Sequence, residues 1–513
     1  MSARELVRQL NAVKCGGPIS RYTTLHYRID ENPMVLAFVR MAGESRPWGI
    51  AYGRFRDNKP TVISVPDGRN RIAVSEMCEK FAEDLLTYWR VEGYSWDPIS
   101  TDNLMSGEIP QIWVPSVRHV EMFHHLEYAF WRVRKGDDRT KPLTVFARLS
   151  GWIYRESNRM GQQAVIDTSK FFRDSFVFPA DSSSLMHLGA CIEWFKNADS
   201  LSEKRLKVRK ASSLRDSPTL DPEIDNKYLA PLLARRGRVL DENKSTTKID
   251  SEISGILKPE LERRWELVRE GYRIFSNDNR EQNEGTIELT QATIASFCND
   301  YQEIEKNIKD PELGPAYTRH PETDFHGSAA ASNYFVMAAA NTAYLSTLVH
   351  FDEELQAEAL ASGKAFIGEV THVVDNGQGR KTIPIWKMTV EIGETLRLRE
   401  NERYAPLGAS KHGVIIRSVE VLSENELEIT AEWNDNKTVP LEANHLAKVS
   451  NEIWVGTRLM FVPKDSSSLD KQSSFAVWQA ASGPGAWLTH GKAPINAEPG
   501  IVDDITQLTA GDL

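Results

Sequence analysis

Cysteine is scarce in this chain: Cys15, Cys78, Cys191 and Cys298 are scattered through 513 residues and form no CxxC pair. Such spacing excludes a disulfide framework and an ordinary thiolate zinc site, and it suits reduced thiols on apolar helix faces. A phosphate loop is also missing. The nearest approach, residues 485–493 (GAWLTHGKA), is one residue too long and has Ala493 where a magnesium-binding hydroxyl is needed. Lys492 therefore has no backbone cradle around it, and no ATP binding and no cofactor are expected of this chain alone. MSARELVRQL is charged and lacks an apolar signal core, so the expected compartment is the cytoplasm. Positive charge is not in excess either: 62 Lys and Arg against 72 Asp and Glu give a net charge of −10. A bulk nucleic-acid coat is excluded, and any phosphate binding must come from local patches.

One stretch lacks formal charge altogether, residues 328–351, SAAASNYFVMAAANTAYLSTLVHF. Its length reaches that of a membrane span, but Ala, Ser, Asn and Thr gain little in lipid. The expectation is a buried helix, with no membrane partner, packed through Tyr334, Met337, Ala338, Tyr344, Leu345 and Leu348.

What is present reads as α+β. Residues 23–66 hold four short β-rich runs, TLHYRID, MVLAFVRM, WGIAYGRF and PTVISVP, punctuated by Pro, Gly and Asn. Val74, Met77, Cys78, Phe81, Leu85 and Trp89 then share a helical face that can cover a sheet. A strand-like QIWVP, further helices, and the runs QAVID and SFVFP complete an α+β domain over residues 1–198. Residues 199–250 are polar and basic and are expected to form a flexible linker. Residues 251–362 suggest a long-helix stalk, with Pro259 in a first turn and Leu257, Leu261, Trp265, Val268, Tyr272 and Phe275 on one stripe. Over 363–465 the period changes to two, and five β-rich segments with hairpin turns suggest a small antiparallel β-barrel. Residues 466–513 form a polar tail, and the chain is expected to be truncated or to work with a separate partner.

Three chemistries come into question. Strands, then a helix, a strand and further helices give loosely the order of an RNase H-like domain, in which carboxylates hold two metals. Asp30, Glu79 or Glu83, and Asp167 are the candidates, although QIWVPSVRH carries Ser and Arg where such a site needs an acid. Histidines 119, 124 and 125 miss the i,i+4 zinc spacing and are expected at the surface or in caps; His320 and His326, beside Glu322 and Asp324, fit a polar turn. No metal is expected. Basic residues give the better lead. KRLKVRK supplies Lys204, Arg205, Lys207, Arg209 and Lys210, and the barrel region supplies Arg380, Lys381, Trp386 and Lys387. Cations track phosphates and aromatics stack on bases, so weak single-stranded nucleic-acid binding is expected.

Long helices running directly into a β-barrel at ASGKAFIGEVTHVV, followed by IVDDITQLTAGDL where a motor would begin, resemble the stalk and barrel of superfamily-one helicase-like proteins. ELERRWELV and SFVFPADSSSLMHLGACIEWF resemble, more loosely, N-terminal regions of bacterial helicase-like proteins, several of them in anti-phage defence. The resemblance implies a nucleic-acid-binding accessory part served by an ATPase partner chain. With no Walker motif in this sequence, hydrolysis must lie elsewhere. A metal-dependent nuclease on the N-terminal domain and a protein-interaction scaffold remain the alternatives.

Overall fold

The computed structural model describes residues 3–91, 110–131, 142–180, 184–278, 280, 344–375, 384–391, 396, 398–407, 413–433, 456 and 458–464, with isolated positions between 286 and 341. The chain divides into two compact units, Met1–Gln282 with Thr286–His320, and Asn283–Gly285 with Pro321–Leu513. The architecture is mixed α+β, as expected.

The first unit opens with α1 (Ala3–Cys15) and β1 (Ile19–Ser20). Its five-stranded sheet is built from β2 (Met34–Arg40), β3 (Pro47–Arg54), β4 (Thr61–Ser64), β5 (Ile112–Val114) and β6 (Val165–Asp167), in the order β4-β3-β2-β5-β6. The first three form an antiparallel meander; β5 runs parallel to β2, and β6 parallel to β5. Helix α2 (Arg71–Val91) connects the meander to β5, and α3 (Val117–Phe130) and α4 (Pro142–Glu156) connect β5 to β6. Beyond β6 come α5 (Thr168–Ser175), β7 (Phe176–Val177), which pairs with β1, and α6 (Leu188–Glu193).

Alternation along β3 decides which helix covers which face. Tyr52 faces α2, with its ring 5.1 Å from Phe81. Gly49 and Gly53 face the other way, where a Cβ on Gly49 would stand 2.7 Å from Leu261 and one on Gly53 would stand 3.5 Å from Trp265. Glycine at these positions lets a helix lie directly on the strand.

That helix is α9 (Thr247–Ser276), and it follows α7 (Leu201–Ser213), a short helical stretch Pro222–Ile224 running into a π turn Asp225–Leu229, and α8 (Ala230–Asp241). Two expectations are corrected here. Residues 199–250 are largely helical, held by caps at Ser200 and Asp221 and by the buried Val208 and Leu229. The first stalk helix is no stalk: Ile253, Leu257, Leu261, Trp265, Val268, Tyr272 and Phe275 belong to the core of the first unit. Tyr272 lies 5.2 Å from Trp113, and Phe275 stacks on Phe171 at 4.1 Å. An apolar stripe this long requires an apolar partner, and the open sheet face provides it. Pro259 sits inside α9 rather than in its first turn. An interior proline costs about 3 kcal/mol, which burial of the stripe on both sides of it offsets.

In the second unit, described positions of the uncharged stretch are helical, with Ala340, Tyr344 and Leu348 buried but Leu345 exposed. The stretch expected as one stalk is thus divided between the units, and most of its middle lies outside the described residues. After α10 (Glu353–Ala361) come β8 (Phe366–Asp375), β9 (Pro384–Glu391), β10 (Arg403–Pro406), β11 (Val414–Ser423), β12 (Glu426–Trp433) and β13 (Arg458–Pro463). Antiparallel pairing closes them into a ring, β10-β11-β12-β9-β8-β13. Five strands were expected. The sixth, β10, has four residues ending in proline and shows no alternation to read, yet it joins β11 to β13. Phe366, Trp386, Met388, Tyr404, Ile416 and Phe461 fill the ring core. Among the described residues no helix is long and apolar enough to cross a membrane.

Candidate nucleic-acid interface

The sheet offers one natural crevice, outside the carboxyl ends of its parallel strands. Strand β5 pairs with β2 only at Met34 and Val35, so the later amides of β2 need other acceptors. His119, one turn into α3, supplies one: the Phe38 N–H donates to its Nδ1 at 3.0 Å. Its Nε2 must then carry the proton, and it faces the Asp216 carbonyl at 2.7 Å. Complete burial drives this imidazole down to about 3, so it stays neutral, even though the Asp216 carbonyl works the other way. Next along the strand, the Arg40 N–H donates to the Pro218 carbonyl at 2.8 Å.

The partners in both contacts come from residues 214–220, the connection between α7 and Pro222. This strap runs beside β2, with an isolated parallel bridge between Arg40 and Thr219. Arg264 of α9, fully buried, donates to the Ser217 carbonyl at 3.1 Å and binds Glu260 at 2.6 Å. Asp216 accepts from the Leu188 N–H at 2.6 Å and lies 3.6 Å from His187 Nδ1. Burial alone would raise the Asp216 carboxyl, but His187 and the Leu188 amide outweigh it and hold it below the usual range. The same carboxylate raises His187. Beside the end of β2, the space is therefore taken by the chain's own backbone.

The carboxylates proposed for a metal do not meet. Asp30 precedes β2, where its N–H reaches Gln111 and its carbonyl accepts from Tyr272, whereas Asp167 ends β6 at the level of Val114. Asp167 caps α5 by accepting from the Lys170 amide at 3.0 Å, and its raised pKa follows from burial. Glu83 is exposed on α2, and Glu79 is half-buried there. Among the described residues, no group of three His, Cys, Asp or Glu side chains converges where a metal could sit. The histidines divide as well: His119 is buried, against expectation, and His124 stacks on Tyr154 at 4.8 Å.

The basic candidates separate into two kinds. On α7, Lys204 donates to the Gly16 carbonyl at 3.3 Å and Lys207 pairs with Glu203 at 2.8 Å. Arg205, Arg209 and Lys210 are exposed. Val208 is buried; Lys210 points away from it, while Arg205 and Arg209, four residues apart, neighbour each other on the exposed flank beside it. None of the three forms an ion pair among the described residues. A capping box, with Ser200 accepting from the Glu203 amide at 3.2 Å and Glu203 accepting from the Asp199 amide at 3.0 Å, fixes the helix start.

On the ring three of the described cations are compensated. Lys387 pairs with Glu428 at 2.9 Å, Arg417 with Glu432 at 2.9 Å, and Arg458 with Glu391 at 3.7 Å. Trp386 is the main correction. It is 2% exposed, within the ring core and 6.3 Å from Phe461, so no base can stack on it. Strand alternation puts Trp386 inside and Lys387 outside. Arg380, Lys381, His320, Glu322, Asp324, His326 and Lys492 lie outside the described residues.

Comparison with known families, curated proteins and solved structures yields no match.

Proposed function

We propose that the chain is a non-motor, nucleic-acid-contacting part of a helicase-like assembly, in which phosphates meet the outward face of α7 and ATP hydrolysis belongs to a partner chain. The observation that carries this reading is the presence of Arg205, Arg209 and Lys210 exposed within two turns of one helix, unpaired among the described residues. Unpaired exposed cations release counterions when they meet phosphate, whereas a cation already held by glutamate gains less. The small β-barrel formed by the ring then serves as a separate folded module rather than as a stacking platform.

The test is titration of the full chain with a fluorescent single-stranded oligonucleotide over a range of salt concentrations. Each lost phosphate contact lowers the slope of log affinity against log salt by about 0.7, so the triple variant Arg205→Gln, Arg209→Gln, Lys210→Gln should lose about two units. Arg417→Gln with Arg458→Gln should leave the slope unchanged. No binding at low salt, or a slope untouched by the α7 triple variant, sinks the reading.

A further inference from the structure

The hairpin of β11 and β12 extends beyond the closed part of the ring. On one side, β11 pairs with β10 only through Val414 and Ile415, and the last contacts there are Asn401 N–H to the Ile416 carbonyl and Ile416 N–H to the Glu402 carbonyl. On its other side it stays paired with β12 to Ser423. Past Ile416, the outer edge of β11 has no strand partner among the described residues. Between register irregularities at Ile416/Ser418 and Val421/Ser423, this edge offers a short row of backbone donors and acceptors to an extended chain.

Its side chains are unusual for a free edge. Val421 is 73% exposed and Leu422 54%, while Glu420, Glu424 and Glu426 are exposed around them. Like charges stand directly opposite each other twice, Glu420 against Glu428 and Glu426 against Glu391. Pairs of that kind destabilise a sheet, and one member of each is already met by a cation, Glu428 by Lys387 and Glu391 by Arg458, with Lys387 also feeling Glu420. Lys387 takes Glu428 and Arg417 takes Glu432, leaving Glu420, Glu424 and Glu426 without an ion pair among the described residues.

We infer that this edge is a docking site for an extended segment of a partner protein in which lysine or arginine alternates with apolar residues. Backbone pairing with β11 supplies the affinity, Val421 and Leu422 pack against the apolar positions, and the partner's cations relieve the opposed glutamates. A second copy of the chain fits poorly, because antiparallel pairing of two β11 edges brings two sets of Glu420 and Glu424 together. Nucleic acid is repelled by the same charges.

The probe is a fluorescein-labelled (Lys-Val)4 peptide added to the full chain and followed by anisotropy. Two controls accompany it: the same peptide N-methylated at alternate amides, which keeps its charge but cannot pair, and (Glu-Val)4. Binding of the first should be about tenfold tighter than of the N-methylated form, with none for (Glu-Val)4. Glu420→Lys with Glu424→Lys should weaken it about tenfold, and Val421→Lys similarly. All three positions are exposed, so the variants should fold. Equal binding of the N-methylated peptide overturns strand pairing in favour of charge alone, and binding that ignores the Glu420 and Glu424 changes places the peptide elsewhere. Self-association by sedimentation, abolished in Val421→Lys, makes a second copy the occupant and overturns the proposal. Oligonucleotide binding that is lost in the α7 triple variant but kept in the hairpin variants separates this outcome from that of the proposed function.

Discussion

Helix α7 and the strand ring both carry lysines and arginines at a density that suggests phosphate binding, yet they hold them differently. On α7 the buried Val208 fixes the packed side, and Arg205, Arg209 and Lys210 stay exposed with no ion pair among the described residues. In the ring, neighbouring strands place Glu428 beside Lys387 and Glu432 beside Arg417. Charge counted along a sequence is thus not charge available to a ligand. A helix separates its cations from distant sequence, while a sheet brings distant glutamates within about 5 Å of them.

The largest expected effect tests the ring side of this comparison. Trp386→Ala should act as a core deletion costing about 3–5 kcal/mol, because it leaves a cavity the size of an indole. Hydrogen exchange should rise sharply in peptides from 366–391 and 414–433 and stay unchanged in those from 34–54. A variant with native exchange but weaker oligonucleotide binding would restore Trp386 as a stacking platform and erase the contrast with α7.

A smaller effect concerns the strap that leads away from α7. His119→Ala leaves the Phe38 N–H without its acceptor and the Asp216 carbonyl without its donor, at a cost of about 1–3 kcal/mol. Exchange should increase in residues 201–220, and His119→Gln should recover part of the loss. If α7 holds equally well without His119, the strap does not position the basic residues.

The smallest effect is in pH dependence. His187 has a raised pKa, so its contact with Asp216 stabilises fully below the ordinary histidine value near 6.5 and is lost as pH rises through the raised value. Asp216, held low, contributes above the ordinary carboxylate range and loses that contribution on acidification. His119 and His350, lowered to about 3 and about 4 by burial, act oppositely, because protonation of the unfolded chain below about 6.5 draws the protein toward unfolding. The informative quantity is therefore a difference. The gap in urea midpoint between the native chain and His187→Gln should be widest below the ordinary histidine value near 6.5 and should shrink as pH rises above it. A gap independent of pH would mean that His187 acts by packing alone.

Much of the fold was legible as pattern. The β-rich runs MVLAFVRM and WGIAYGRF, the helical face that starts at Val74, and the change to period two after residue 363 all correspond to real elements. Other features had weak local signals that sequence reading passed over. The spaced glycines of β3, Gly49 and Gly53, marked where a helix must lie close. Ser200 with Glu203 formed a capping box inside what was expected to be a linker.

By itself the sequence determined which residues are apolar, at what period they recur, and that it holds neither a GxxxxGK(S/T) nor a CxxC motif; these follow from local chemistry along the chain. Only the tertiary structure decided that α9 lies on a sheet rather than in a stalk, that Trp386 faces inward and Lys387 meets a glutamate, and that the Asp216 carbonyl meets His119. The reason is physical. A stripe of Leu261, Trp265, Val268 and Tyr272 specifies that something apolar must cover it but not what, and only the packing of distant segments determines which partner removes the most surface from water.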